Sequence, residues 1–195
     1  MTHPRLTALA LRTGPIDGIS VSVEAGACLG ISGPSGSGKS LLLRAIADLD
    51  PHAGTIHLNG NAQTDVAPTE WRRQVTWVAA ESAWWADTVG AHFTHRDDPA
   101  WTALGFASES ANWEISRLST GEKQRLGLLR ALQHAPLVLL LDEPTSALDA
   151  SNTTRVEALI AAYRARTGAA VIWVSHDPAQ LDRVSDTRLA LGVGS

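Results

Sequence analysis

Residues 33–40 read Gly33-Pro34-Ser35-Gly36-Ser37-Gly38-Lys39-Ser40, two glycines bracketing four residues and followed at once by Lys-Ser. Upstream, Ala27-Cys28-Leu29-Gly30-Ile31-Ser32 reads as a buried strand, and downstream Leu41-Leu42-Leu43-Arg44-Ala45-Ile46-Ala47 has helical composition with an apolar face. That strand-loop-helix setting is the one a phosphate-binding P-loop needs. Glycine lets the backbone turn and approach an anion, so that successive N–H groups and the helix N-terminus point at it. In such a loop Lys39 reaches the β- and γ-phosphates of a nucleotide, and the Ser40 hydroxyl is offered to the Mg²⁺ that accompanies it. A Gly/Ser-rich surface loop would scatter glycines without meeting every fixed position between a strand and a helix.

The P-loop alone does not separate a kinase from a GTPase or a transport ATPase. Leu118-Ser119-Thr120-Gly121-Glu122-Lys123-Gln124-Arg125 narrows the choice. It opens a helix whose apolar face is Leu126, Leu128, Leu129 and Leu132. Ser119 and Gly121 fall at the start of that helix, where free N–H groups and the positive dipole end offer a second anion site. Ser119 followed three residues later by Glu122 also spells a capping box, and the two roles are compatible. This run resembles the Leu-Ser-Gly-Gly-Gln signature of ATP-binding cassette (ABC) ATPases, in the variant ending Glu-Lys-Gln-Arg. The resemblance implies ATP and Mg²⁺ as ligands, held by Gly33 to Ser40 together with Ser119, Gly121 and Glu122.

Leu137-Val138-Leu139-Leu140-Leu141-Asp142-Glu143 is an unbroken apolar run ending in two carboxylates. It fits a parallel strand buried on both faces, which delivers Asp142 and Glu143 to the end of the sheet where α/β proteins place ligands. By resemblance, Asp142 holds Mg²⁺ through water and Glu143 is the general base that polarises the attacking water. Pro144-Thr145-Ser146-Ala147-Leu148-Asp149 matches the D-loop of the family. His176, after the β-type run Val171-Ile172-Trp173-Val174, matches the histidine that contacts the γ-phosphate. Lys39, Glu143 and His176 are therefore the expected catalytic set. His3, His92 and His95 have no metal-ligand pattern around them and are assigned to surface or packing.

The resemblance further implies a homodimer paired head to tail, with each ATP between Lys39 of one copy and Ser119 of the other. It implies a separate integral-membrane permease as partner, and a place at the cytoplasmic face of the cell membrane. The compact length and the run from Leu118 to His176 resemble small bacterial ATPases associated with iron or metal export. Two other readings use the same motifs: a degenerate or regulatory nucleotide-binding protein with little turnover, and a soluble ABC ATPase outside transport. Intact Glu143 and His176 argue against the first, and the single cassette without a long insertion argues against the second.

Three departures from the family pattern stand out. Ala80 occupies the place of a glutamine whose amide contacts Mg²⁺ and water, with Glu81 beside it. Thr120 replaces the first signature glycine. No aromatic residue precedes Trp71 to stack on adenine, so Leu9 or Leu11 is expected to cover the base. Six of the seven tryptophans are Trp71, Trp77, Trp84, Trp85, Trp101 and Trp113. Trp84 and Trp85 are expected to meet the permease, and the others to pack.

The 195 residues, 44% of them hydrophobic, suffice for one α/β core with an inserted lobe. The expected fold is a P-loop NTPase: a mainly parallel core sheet formed by residues 1–79 and 131–195, an N-terminal antiparallel β region, and a short helical subdomain over about 80–130. A net charge of −4 without a basic run excludes nucleic acid as the expected partner. The single cysteine, Cys28, rules out a disulfide within the chain. No apolar stretch approaches the roughly 20 residues of a membrane helix, and no leader pattern is expected at the N-terminus.

Overall fold

The computed structural model describes residues 4–94 and 99–192; His3 and His95 lie outside them. In chain order the elements are β1 Leu6–Thr13, β2 Ile16–Val23, β3 Cys28–Ser32, α1 Lys39–Ile46, β4 Ala53–Leu58, β5 Asn61–Ala62, α2 Pro68–Gln74 and β6 Val75–Val78. There follow α3 Pro99–Ala103, α4 Thr120–Leu132, β7 Val138–Asp142, α5 Ala150–Thr167, β8 Ala170–Val174, α6 Pro178–Val184 and β9 Thr187–Ala190. A five-stranded sheet runs β6-β7-β8-β3-β9, parallel at every pairing, and a four-stranded antiparallel sheet runs β2-β1-β4-β5.

The parallel sheet is apolar on both faces because its side chains alternate between two cores. Val138 and Leu140 of β7, with Ala170, Ile172 and Val174 of β8, join the core shared with the antiparallel sheet, α1 and α2. Leu139 and Leu141, with Val171 and Trp173, join the opposite core beneath α4 and α5. A period-two strand pattern with both phases apolar therefore places β7 and β8 in the middle of three layers. The β4–β5 hairpin closes on Asn59-Gly60, both at positive φ (52° and 83°). Asn-Gly suits this turn because both central residues must be left-handed.

Cys28 is 1% exposed, and burial pushes its thiol up to about 12, with Arg164 lowering and Asp186 raising the value less strongly. The thiolate that reacts is therefore scarce at pH 8. The folded protein is expected to resist an aromatic disulfide reagent at that pH and to react with it after denaturation; rapid labelling of the native chain would contradict this placement.

Between β6 and α4 the described chain has one helix of five residues, α3, and 3-10 turns at Val89–His92, Ser108–Asn112 and Ile115–Arg117. An isolated bridge joins Thr88 to Glu114. An aromatic chain holds the segment: Phe93 to Trp101, Trp101 to Phe106, and Phe106 to Trp113, each edge-to-face. The helical lobe is thus largely a turn-built lobe. Trp71 and Trp77 belong to the core instead, with Trp71 Nε1 donating to the Ile46 carbonyl at 2.9 Å.

Candidate functional site

The loop 33–38 links β3 to α1 at the C-terminal edge of the parallel sheet, as its sequence predicts. Gly38 lies at φ 91°, and a Cβ there would fall 2.9 Å from Ile16 Cδ1 and 3.0 Å from Pro15 Cγ. The β1–β2 turn presses on the loop at that point, so backbone strain and packing both require glycine. Gly33, at φ 152°, leaves 2.5 Å between a notional Cβ and the Leu191 carbonyl. Lys39 Nζ donates to the carbonyls of Gly33 at 2.7 Å and Pro34 at 2.9 Å, folding the ammonium over its own loop. Ser37 Oγ is buried without a hydrogen-bond partner. This orphan, inside a glycine-shaped turn at a helix N-terminus, fits a phosphate group. Ser40 is exposed.

Strand β7 ends in Asp142, which is 6% exposed. No hydrogen bond or ion pair reaches its carboxylate among the described residues. A buried carboxylate without a cationic neighbour fits a divalent cation held largely by water and phosphate oxygens, the mode Mg²⁺ favours. No group of three or more metal-ligating residues occurs among the described residues.

Glu143 follows in the left-handed region at φ 50°, a conformation costing a non-glycine residue roughly 1–2 kcal/mol. Three contacts hold it there. Its N–H donates to the Val174 carbonyl at 3.1 Å, its carbonyl accepts from Gln124 Nε2 at 2.9 Å, and its Oε2 pairs with His176 Nδ1 at 2.9 Å. An ionised carboxylate only accepts, so Nδ1 carries the proton in that pair. The ends of adjacent strands β7 and β8 therefore bring Glu143 and His176 together, as the two motifs foretell.

Ser119 caps α4. Its Oγ accepts from the Glu122 N–H at 3.2 Å, while Glu122 Oε2 accepts from the Ser119 N–H and Oγ at 2.8 Å each. Such a cap contributes about 1 kcal/mol. Burial would raise the Glu122 pKa, but the Ser119 hydrogen bonds and the charges of Arg125 and Arg117 outweigh it and hold the carboxyl below its ordinary value. The resulting stabilisation is present above that ordinary value and is lost as acid lowers the pH through the depressed one. A Cβ at Gly121 would lie 2.9 Å from the Ala147 carbonyl, so the first turn of α4 abuts the D-loop. Thr120 is exposed. No hydrogen bond joins residues 33–40 to residues 119–122 among the described residues.

Of the two aliphatic candidates for covering a base, Leu11 is fully buried in the core and is unsuited, whereas Leu9 is 49% exposed. Glu81 is exposed and has no bond to Asp142 or Glu143. Beside Ala80 opens a groove of about 580 Å³ lined by residues including Trp77, Glu81, Trp85, His92, Arg130 and Gln133. His92 Nε2 accepts from the N–H groups of Trp85 at 3.1 Å and Ala86 at 3.2 Å, fixing the loop that carries Trp85. Trp85 is 72% exposed, while Trp84 packs against the lobe core. The expectation that both would meet a partner is thereby narrowed to Trp85: both rings pack edge-on against His92, but Trp84 is half-buried against the lobe core while Trp85 stands out into solvent. Arg130 lies 4.6 and 4.8 Å from the two indole centres and donates to the Ala83 carbonyl at 2.7 Å.

One polar residue with no role foreseen is Gln124, 4% exposed, whose amide bonds to Glu143, Ser146 and Ala147 just after β7. Its signal was present, an amide on the buried face of α4 in step with Gly121 and Leu128.

The family model described as ABC transporter matches residues 16–146. The probable iron export ATP-binding protein FetA of Escherichia coli (strain K12) is 38% identical over 181 residues, covering 86% of this chain and 80% of its own. The aliphatic sulfonates import ATP-binding protein SsuB 2 of Agrobacterium fabrum is 35% identical, with 93% of this chain and 72% of its own covered. Among solved structures, a bacterial Atm1-family ABC exporter with ATP bound superposes with a TM-score of 0.86 at 27% identity, over 98% of this chain and 38% of that one. A dimeric ATP-binding cassette in a post-hydrolysis state, bound to ADP and Pi, shares the fold with a TM-score of 0.82 at 20% identity, 97% of each chain being covered. The chain belongs to the ABC transporter family and is one of its ATP-binding, ATP-hydrolysing subunits.

Proposed function

We propose that this subunit binds MgATP between two copies of itself, and that closing and opening of the pair drives a separate membrane-spanning permease. The observation that carries the reading is the Glu143–His176 contact of 2.9 Å at the strand ends beside the P-loop. Lys39, the N–H groups of residues 33–40 and Ser37 Oγ would bind the phosphates, with Ser40 and Asp142 holding the cation. Bound Mg²⁺ would neutralise charge developing on the phosphate oxygens. Glu143 would take a proton from the attacking water, and His176 would hold that carboxylate in place. Ser119, Gly121 and Glu122 would present the α4 N-terminus to the γ-phosphate of the partner's ATP.

Head-to-tail pairing explains why one chain carries two anion sites that no hydrogen bond joins. The γ-phosphate favours the closed pair, and its loss on hydrolysis releases it. The groove with Trp85 at its mouth suits an inserted permease segment, since exposed aromatic anchors in a concave site dominate interface energies. Its place would then be the cytoplasmic face of a membrane. No helix among the described residues is long and apolar enough to cross one. The relatives named include an exporter and an importer, so cargo and direction would belong to the partner chain.

A mixing experiment tests the pairing. Lys39→Ala and Ser119→Glu should each be nearly inactive alone. In a one-to-one mixture half the pairs are mixed, and each mixed pair has one intact composite site, so about a quarter of wild-type ATPase should return. No recovery despite formation of mixed pairs would overturn head-to-tail sharing.

A further inference from the structure

We propose that Gln124 is a positioning residue for hydrolysis: its buried carboxamide holds the strained backbone of Glu143 and the D-loop in the geometry that aims the Glu143 carboxylate. The proposal rests on Glu143 being the general base. Nε2 of Gln124 donates to the Glu143 carbonyl at 2.9 Å and to Ser146 Oγ at 3.2 Å, while its Oε1 accepts from the Ala147 N–H at 3.2 Å. One planar amide thus grips the chain at three points immediately following β7. The same Nε2 comes within 3.5 Å of the Ala80 carbonyl, at the edge of the groove.

Two features make this more than packing. Glu143 is in the left-handed region, and such a conformation persists only where neighbours over-determine it. Val174 holds its N–H and Gln124 holds its carbonyl, so the peptide groups on both sides of its Cα are fixed, and with them the direction of its side chain. Secondly, the D-loop has an independent anchor on its far side. Thr145 Oγ1 and the Gln180 amide exchange hydrogen bonds, and Gln180 Nε2 also donates to Glu157 Oε1 at 2.9 Å, which in turn pairs with Arg183. Removing Gln124 leaves that anchor and the sheet in place, and releases only the Glu143 carbonyl and the adjoining turn at Ser146 and Ala147.

Gln124 also joins three segments that have to act together. It stands on the signature helix, it holds the backbone carbonyl of Glu143, and it touches the carbonyl of residue 80, whose side chain is a bare methyl group. In this chain the link from groove to base runs through the backbone of Ala80 and the side chain of Gln124, and a shift of α4 moves the Glu143 carbonyl with it.

Gln124→Met keeps side-chain length and helix propensity while removing the donors and the acceptor. Its kcat for ATP hydrolysis is expected to fall by about tenfold or more, with the KM for ATP within about twofold and cooperative unfolding retained. The deciding measurement is a double-mutant cycle in single-turnover hydrolysis. If Gln124 acts through Glu143, Gln124→Met has no further effect in a Glu143→Gln background; a general structural role would multiply the two losses. Gln124→Glu serves if the methionine variant folds poorly, because it keeps the acceptor for Ala147 and loses only the donors. Unchanged kcat in a folded variant, or a full additional loss in the Glu143→Gln background, would overturn the proposal. Full activity of Glu143→Gln alone would instead overturn the general-base reading on which it rests.

Discussion

Glu143→Gln should reduce ATP turnover by about 10²–10⁴-fold, the range a positioned general base contributes, while ATP affinity changes little. The amide has the shape of the carboxylate and can still accept from His176 Nδ1, so the 2.9 Å contact and the left-handed backbone of Glu143 are kept. What it cannot do is take the proton of an attacking water. The substitution therefore separates binding from chemistry, and in a protein whose pair opens only after hydrolysis it should trap the closed form. Light scattering of the variant should show a monomer without nucleotide and a dimer with MgATP. Turnover within about threefold of wild type would mean that another group supplies the base. Loss of ATP binding would mean that Glu143 holds the loop rather than the proton. A persistent monomer with ATP bound would place the closing force in the membrane partner, because the half-sites of Lys39 and Ser119 would then be too weak to close alone.

Much of this site is legible from residues because its parts are local. The P-loop needs only a strand, two fixed glycines with Lys-Ser and a helix start in sequence, and β7 is announced by the five apolar residues from Leu137 to Leu141, unbroken until Asp142 and Glu143 are reached. Both strand faces being apolar tells that two layers cover the sheet, and Leu139 and Leu140 do point into different cores. The turn-built lobe is less legible. Residues 81–118 carry no sustained apolar period, and the described residues among them are held by ring-on-ring contacts such as Phe93 with Trp101 and Phe106 with Trp113. Such contacts have no sequence spacing to read. The same limit hid the difference between Trp84 and Trp85, which depends on the path of a loop pinned by His92. Gln124 shows the boundary most clearly. Its polarity on an apolar helix face is visible in the chain, but its partners lie 19 to 44 residues away and two are backbone carbonyls, to which no side-chain pattern points.

Lys39→Ala should weaken ATP binding by at least about 100-fold, roughly 2.7 kcal/mol, because a charge-assisted contact to phosphate is lost and no other cation is placed in the loop's sequence to replace it. The structure sharpens the expectation in one respect. Lys39 Nζ is held by the carbonyls of Gly33 and Pro34, so the ammonium is already folded over the loop and spends little ordering entropy on meeting the phosphates. Lys39→Arg should fail to restore the affinity, since a planar guanidinium cannot satisfy two carbonyls of its own turn and a phosphate as a compact ammonium does. Thermal unfolding gives a direct reading. ATP at about 100 times the wild-type dissociation constant stabilises the native chain by about 2.7 kcal/mol, and the same concentration should stabilise the alanine variant by only about 0.4 kcal/mol. The apo variant should unfold close to wild type, because Lys39 lies at the start of α1 and its side chain bonds only to the loop. Equal ATP-induced shifts in the two proteins would remove Lys39 from the binding site. An apo variant much less stable than wild type would show instead that the lysine's bonds to Gly33 and Pro34 build the loop before any phosphate arrives.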